Sequence, residues 1–301
     1  MSAIDALALI MLAALTLYAL LAGADFGGGV WDLFATSPAQ RKLITRAMAP
    51  VWEANHVWLI LLIVVLFTAF PPAFARLLTV LHVPLTLMLV GIVLRGSAFV
   101  FRQYGGGGER ADLGWGRVFA VSSIATPIFL GASLGVMTTG AHWTSLFCLL
   151  VGFFTLSLFA MLAAVYLTVE DAELAPAFRV RALAAAVAAG ALAALTAIAA
   201  PVQLVSWPFI AAGAALGLSV IATLWTRRYL VARALAVLLV TLVVAGWGLA
   251  QHPYLLVPTL TLHDAAAPAA TLRLLLPTLG VGAVVLFPSL YWLMRVFKRV
   301  A

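Results

Sequence analysis

Long apolar runs constrain the fold of this chain more than any other feature of its sequence. Two clear examples are Leu59–Phe70 and Leu183–Ala200. A helix that crosses a bilayer needs about 20 consecutive, mostly apolar residues, whereas the strands of a membrane barrel alternate apolar and polar residues. The runs therefore predict membrane-spanning helices, because such helices satisfy their backbone hydrogen bonds internally.

The composition supports the same class of protein. Of 301 residues, 65% are apolar and only 9% are charged, whereas soluble proteins are roughly 45–50% apolar and about 25% charged. We predict an all-α, polytopic transmembrane helical bundle that forms a single integral membrane domain over residues 1–301. About nine spans are expected, at residues 4–26, 51–70, 74–99, 116–139, 144–169, 180–200, 207–225, 230–250 and 272–295.

The basic residues predict how the bundle is oriented. With this layout, all but three of the 17 Lys and Arg residues fall on one side, in alternate connections and at the C-terminus. Arg76 and Arg273 lie on the other side, and Arg95 lies inside the third span. Basic loops face the cytoplasm, so the N-terminus should be outside and the C-terminus cytoplasmic. The net charge of +7 then reflects basic cytoplasmic loops beside anionic lipid, and no nucleic-acid partner is expected.

Several kinds of chemistry are excluded by the sequence. The single cysteine, Cys148, excludes an internal disulfide and a multi-cysteine metal site. The chain has no phosphate-binding loop, nucleophile elbow or dinucleotide fingerprint. We therefore expect neither a soluble-enzyme active site nor a cofactor bound through these motifs.

Ionisable residues inside the spans are the candidates for function, because a charge at the bilayer centre costs about 2.5–3.5 kcal/mol on insertion scales. They are Asp25, Glu53, His56, His82 and Arg95. Asp25 is either a solvated aspartate at the end of the first span or a functional acid. Arg95 could reach the interface, or pair with Asp25 or Glu53. His82 reads as a packing histidine rather than a haem ligand.

Glu53 and His56 lie three residues apart and so share a helix face. A carboxylate and an imidazole in an apolar setting can pass protons to water chains. Alternatively, Glu53 could simply interact with the helix dipole in a first turn that begins near Pro50. A di-metal site would need a second Glu-x-x-His and two further glutamates, which the spans do not supply.

Three stretches of the sequence resemble a known family. Tyr18–Gly29 looks like the family's Gly-x-Asp-x-Gly-x-Gly segment. Ala49–Ile60, followed by Leu66–Pro71, resembles its Pro-x-Trp-(Asp/Glu)-x-Asn-x-Val-Trp-Leu signature. Gln251–Pro258 with Leu262–Ala266 is similar to its last outer loop. The family is subunit II of the cytochrome bd-type quinol oxidases, including the cyanide-insensitive branch.

The resemblance implies nine helices and a supporting role in a quinol:oxygen oxidoreductase of the bacterial cytoplasmic membrane. The b- and d-type haems would belong to a partner, subunit I, and none to this chain. Glu53 matches the family's candidate acid for proton uptake from the cytoplasm, and Asp25 and His56 are expected on the same route. Arg95 lies where some members hold a structural quinone. Small single-helix accessory subunits, lipid and quinone are further expected partners.

Two other functions compete with this interpretation. In a proton-coupled secondary transporter, Asp25, Glu53 and His56 would couple substrate to protons. Transporters often show internal repeats and helices broken at mid-membrane, but no repeat is evident here and the acids cluster at one end. A haem-bearing cytochrome would need paired histidines, and His56 and His82 lie at different depths.

Overall fold

The computed structural model describes residues 2–104, 108–201 and 206–300 of the chain, with ten helices and one small sheet in those ranges. The helices are α1 (Ala3–Leu33), α2 (Pro38–Ala69), α3 (Pro71–Val80), α4 (His82–Tyr104), α5 (Gly108–Thr139), α6 (Leu146–Glu170), α7 (Ala175–Ala199), α8 (Trp207–Trp225), α9 (Tyr229–Gln251) and α10 (Ala269–Val300). Strands β1 (Tyr254–Leu256) and β2 (Leu260–Thr261) form an antiparallel hairpin between α9 and α10.

The helical bundle predicted from the apolar runs is confirmed. Within the described residues, eight helices are long and apolar enough to cross a membrane, and there are up to nine if a bent pair counts as one span. That pair consists of Ala54–Ala69 and Pro71–Val80, which meet at 119°. The predicted number of about nine spans therefore agrees with the structure.

The predicted break at Pro71 is also present, and its cause is local. Phe70 leaves the helical region, with φ −136° and ψ 57°, and its N–H still donates to Leu66 O at 3.0 Å. Pro71 and Pro72 follow as the first residues of α3, where their missing N–H groups cost nothing.

The predicted third span, 74–99, is wrong as a single helix, because the chain breaks at Leu81 between α3 and α4. Pro84 has no N–H to donate to Val80, and its ring would collide with that carbonyl in a continuous helix. His82 is exposed, and its Nδ1 lies 2.9 Å from Thr79 O. His82 therefore caps the break rather than packing in the core.

The first connection is much shorter than predicted, and it consists of residues 34–37. Helix α1 continues beyond the expected end at residue 26, and α2 begins before the expected start at residue 51. Ser37 caps α2 by accepting a hydrogen bond from Gln40 N at 3.3 Å, and Pro38 is the first helical residue. Arg41, Lys42 and Arg46 therefore belong to the first turns of α2 rather than to a loop.

Helix α1 lies at the centre of the bundle, where it packs against α2, α5, α6, α9 and α10. Three consecutive glycines allow this close packing. A Cβ on Gly27 would collide with Phe159 O of α6, one on Gly28 would lie 2.7 Å from Met48 Cγ of α2, and one on Gly29 would collide with Ser123 Oγ of α5. The glycine-rich segment is thus the contact between α1 and three neighbouring helices.

Candidate functional site

Asp25 and Arg95 form an ion pair between α1 and α4, in the interior of the bundle. Arg95 Nη2 lies 2.6 Å from Asp25 Oδ1, and Arg95 Nη1 donates to Oδ2 at 2.7 Å. Nη2 also donates to Asp25 O at 3.0 Å. The side chains are only 3% and 1% exposed. The expectation that Asp25 could be a solvated residue at a helix end is therefore wrong, since α1 continues for two more turns beyond it.

Two neutral side chains from other helices complete the hydrogen bonds of this pair. Asn55 of α2 donates from Nδ2 to Asp25 Oδ2 at 2.9 Å. Ser123 of α5 accepts from Arg95 Nε at 3.0 Å and donates to Phe119 O at 2.6 Å. Four helices thus meet at one bidentate pair, and such charge-assisted hydrogen bonds are the strong ones in proteins.

The guanidinium of Arg95 also lies between two aromatic rings. Its Cζ is 5.0 Å from the centroid of Phe26 and 4.6 Å from that of Phe119. Both distances are within the range of cation–π attraction. Asp25 balances the charge of this buried arginine, Asp25 and Ser123 accept from its three nitrogens, and Phe26 and Phe119 lie against its guanidinium.

A second ion pair repeats the first one two helical turns further along both helices. Arg102 Nη1 lies 2.9 Å from Asp32 Oδ2, with side-chain exposures of 23% and 6%. Phe119 contacts this arginine too, with its centroid 5.4 Å from Cζ. Asp25 and Asp32, like Arg95 and Arg102, are seven residues apart, which keeps each pair of positions on one helix face.

A cavity of about 140 Å³ opens beside these two ion pairs, between α2, α4 and α5. It is lined by Ile44, Thr45, Met48, Arg95, Phe99, Arg102 and Phe119. Its walls are partly polar, through Thr45 and the two arginines, and a cavity of this size has room for water. The two arginines therefore border a space in which water molecules could connect the outer ion pair to the inner one.

Two of the predicted site residues, His56 and Glu53, show no described contact with the Asp25–Arg95 pair. His56 is half-buried, and its Nδ1 lies 3.2 Å from Trp52 O of its own helix. Glu53 lies in α2, but its side chain falls outside the described residues. Asn55, which the sequence did not single out, is the residue of α2 that contacts Asp25.

Arg95 is the residue that the sequence assigned to a bound quinone. All three nitrogens of its guanidinium group donate to Asp25 or Ser123 within the protein. The assignment of Arg95 to a quinone stays a prediction. Among the described residues, no group of three or more His, Cys, Asp or Glu side chains could hold a metal ion.

The fold and the site define the class: a polytopic helical membrane protein with charged pairs buried at the meeting point of its first, second, fourth and fifth helices. The chain belongs to the family of cytochrome bd terminal oxidase subunit II, whose sequence model matches residues 4–297.

Three curated relatives are similar over part of their length. Cytochrome bd ubiquinol oxidase subunit 2 of Bacillus subtilis is 30% identical over 128 residues, which are 42% of this chain and 35% of that protein. A putative cytochrome bd menaquinol oxidase subunit II of the same organism is 33% identical over 88 residues, which are 28% and 25% of the two chains. Cytochrome bd-I ubiquinol oxidase subunit 2 of Escherichia coli K12 is 25% identical over 128 residues, which are 41% and 32%. The matched stretches thus span about a third or less of these relatives.

A solved structure matches the fold over its whole length. A chain in the structure of bd oxidase from Geobacillus thermodenitrificans superposes with a TM-score of 0.81, and the match covers 99% of each chain at 22% identity. At that identity the likeness establishes a common fold.

Proposed function

We propose that this chain is the non-haem membrane subunit of a bd-type quinol:oxygen oxidoreductase. It supports a haem-bearing subunit I, in which the b- and d-type haems reduce oxygen to water, and it contributes a route for protons from the cytoplasm. The family match over residues 4–297 carries this proposal. The likeness of fold to a chain of a bd oxidase supports it.

The proposed orientation has the N-terminus outside and the C-terminus in the cytoplasm. It places the two ion pairs at different depths from the cytoplasmic surface. Both α1 and α4 then run from the outside toward the cytoplasm. Asp32 and Arg102 come first from the cytoplasm, and Asp25 and Arg95 lie about 10 Å deeper, since each helical residue rises 1.5 Å. The outer pair is the more exposed one, in agreement with this order.

Glu53 is the proposed proton carrier on this route, and Asp25 and His56 are proposed to take part in it. Asp25 Oδ2 accepts from both Arg95 and Asn55, so a proton reaches that oxygen only if one donor leaves. Asp25 Oδ1 accepts from Arg95 Nη2 and keeps one acceptor position. The cavity of about 140 Å³ beside Arg95 and Arg102 supplies the space in which water approaches the pair.

Purification from the native membrane tests the function as a whole. The chain should copurify with a haem-bearing partner, and the isolated complex should consume oxygen when supplied with a quinol. The spectrum of the complex should show b- and d-type haems that disappear when this chain alone is isolated. A stable, haem-free chain that transports a solute by itself would instead establish the secondary transporter.

A further inference from the structure

An open apolar groove lies on the surface of the bundle, between α1, α6 and α7. Its volume is about 390 Å³. The residues that form its walls include Trp31, Phe34, Phe153, Leu156, Ala184 and Ala188. Ala184 and Ala188 are exposed, and these two small side chains of α7 leave room beside the large ones of α1 and α6.

The groove offers hydrocarbon surface and almost no free polar groups. Its two polar side chains already hydrogen-bond within the protein, since Trp31 Nε1 donates to Ala160 O at 2.7 Å and Ser157 Oγ donates to Phe154 O at 2.9 Å. A polar ligand would find no partner along these walls. An alkyl chain would lose nothing there, and it would cover exposed rings such as Phe34 and Phe153.

Arg181 lies at one end of this groove. It precedes Ala184, Ala185 and Ala188 by three, four and seven residues, so it lies on the same face of α7. Its Cζ lies 5.8 Å from the centroid of Trp31, and its Nη2 donates to Phe34 O at 2.6 Å. Two residues of the groove wall therefore hold the guanidinium in place.

The charge of Arg181 is not balanced within the described part of the protein. Arg181 takes no part in the ion pairs of Arg95, Arg102 and Arg233, and it donates instead to the neutral oxygens of Phe34 and Gln40. Its Nη1 is buried and has no hydrogen-bond partner. An anion beside the guanidinium would supply the missing charge.

We propose that Arg181 and the groove bind one anionic phospholipid. The phosphate lies beside the guanidinium and balances its charge, and an acyl chain lies along Trp31, Ala188 and Leu192. From Arg181 to Leu192 the helix rises about 16 Å, which is about half the apolar thickness of a bilayer. A neutral quinone or a second copy of the chain would also cover the hydrocarbon surface, but neither would balance the charge.

The proposed orientation places this site in the cytoplasmic leaflet, because Arg181 precedes the groove in a helix that runs from the cytoplasm outward. Anionic lipids make the surface of that leaflet negative. The proposal does not need the oxidase activity, because its evidence is the groove and the arginine alone.

Native mass spectrometry of the protein, purified with its bound subunits and then delipidated, tests the proposal. The sample is titrated with phosphatidylglycerol or with phosphatidylcholine that carries the same acyl chains. The wild-type protein should bind one phosphatidylglycerol more tightly than phosphatidylcholine. R181Q should weaken phosphatidylglycerol binding about tenfold, which corresponds to about 1.4 kcal/mol, since it removes the positive charge beside the phosphate.

Two matched controls separate this site from general effects. R228Q removes an exposed arginine that lies on the same side in the proposed orientation and should leave binding unchanged. A188L should fill the groove and weaken both lipids, whereas V187L changes an exposed neighbour outside the groove wall and should weaken neither. R181K keeps the charge and should keep the preference for phosphatidylglycerol.

Other results would overturn the proposal. Equal affinity of the wild-type protein for the two lipids would do so, as would equal losses in R181Q and R228Q. A tightly bound mass that matches a quinone, or a second copy of the chain that dissociates when A188L is introduced, would assign the groove to a different occupant.

Discussion

Asp25 and Arg95 neutralise each other inside the bundle, and each makes the other tolerable in an apolar interior. Removing one partner of a buried ion pair costs about 3–5 kcal/mol, because the other charge is left uncompensated. Replacing both with apolar residues of similar size is often neutral. The contribution of the pair to stability can therefore be separated from the proposed role of Asp25 in proton transfer by comparing single and double substitutions.

We expect D25N to lower the free energy of unfolding by about 3–5 kcal/mol, since Arg95 stays buried without its counter-ion. The double variant D25L/R95M should be closer to the wild type than D25N is. Thermal unfolding of the purified protein measures both effects. The control is E170Q, which breaks the half-exposed pair with Arg233 and should cost about 1 kcal/mol or less. Equal losses in D25N and E170Q would contradict the expectation.

Glu53 is the residue whose proposed role is chemical rather than structural. We expect E53Q to slow quinol-driven oxygen consumption about 10²–10⁴-fold, as loss of a proton-transfer group usually does. Proton uptake by the assembled complex in vesicles should fall in proportion. E170Q removes an acid that is not on the proposed route, so it should leave both rates unchanged. If E53Q turns over at the wild-type rate, Glu53 is not on the route.

At this scale the sequence predicted the charged residues better than their neutral partners. Asp25 and Arg95 stood out because a charge in a membrane span is costly. Ser123 gave no signal, because serines in helices commonly bond their own preceding carbonyl, as Ser123 does to Phe119. The seven-residue spacing of the aspartates and of the arginines could have indicated the second ion pair, had α1 been predicted to its end.

Among the helices, α1 depends on its glycines for contact with three neighbours. We expect G27A to destabilise the protein by about 1–3 kcal/mol, as overpacking does, because its Cβ would collide with the backbone oxygen of Phe159. G28A should cost less, because Met48 is flexible and can move. Thermal unfolding of each variant measures whether G27A is more destabilising than G28A.

G190A is the matched control for these helix substitutions. A Cβ on Gly190 in α7 meets nothing within 4 Å, so alanine should be neutral or stabilise by about 0.5–1 kcal/mol through backbone entropy. If G27A and G190A unfold at the same temperature, the close contact between α1 and α6 is not what requires glycine.

Helix ends were the least predictable elements, for a physical reason. Hydropathy reports the apolar thickness of about 30 Å, whereas α1 has 31 residues and at 1.5 Å per residue reaches about 46 Å. The signals for the true ends were chemical rather than hydropathic. Ser37 followed by Pro38 marks the start of α2, and Pro84 marks the break before α4.

In the molecule as a whole, the order of helices around α1 could not be read from the sequence. Helices that are apolar all round give no preferred face, and small residues decide which pairs approach closely. The charge bias gives a different kind of information, because it compares the two sides of the membrane rather than the faces of one helix. The charge bias therefore predicts an orientation, and cysteine labelling tests it.

Cysteine labelling in whole cells can provide that test. In a C148A background, which replaces a buried thiol, single cysteines are introduced as H142C, between α5 and α6, or as A172C, between α6 and α7. Both positions are exposed. With the N-terminus outside, a membrane-impermeant maleimide should label H142C in intact cells and A172C only after permeabilisation, since the two positions lie at opposite ends of α6. Equal labelling after permeabilisation shows that both thiols react. The reverse pattern in intact cells would invert the bundle, and it would place both Arg102 and the lipid site of Arg181 on the outer side of the membrane.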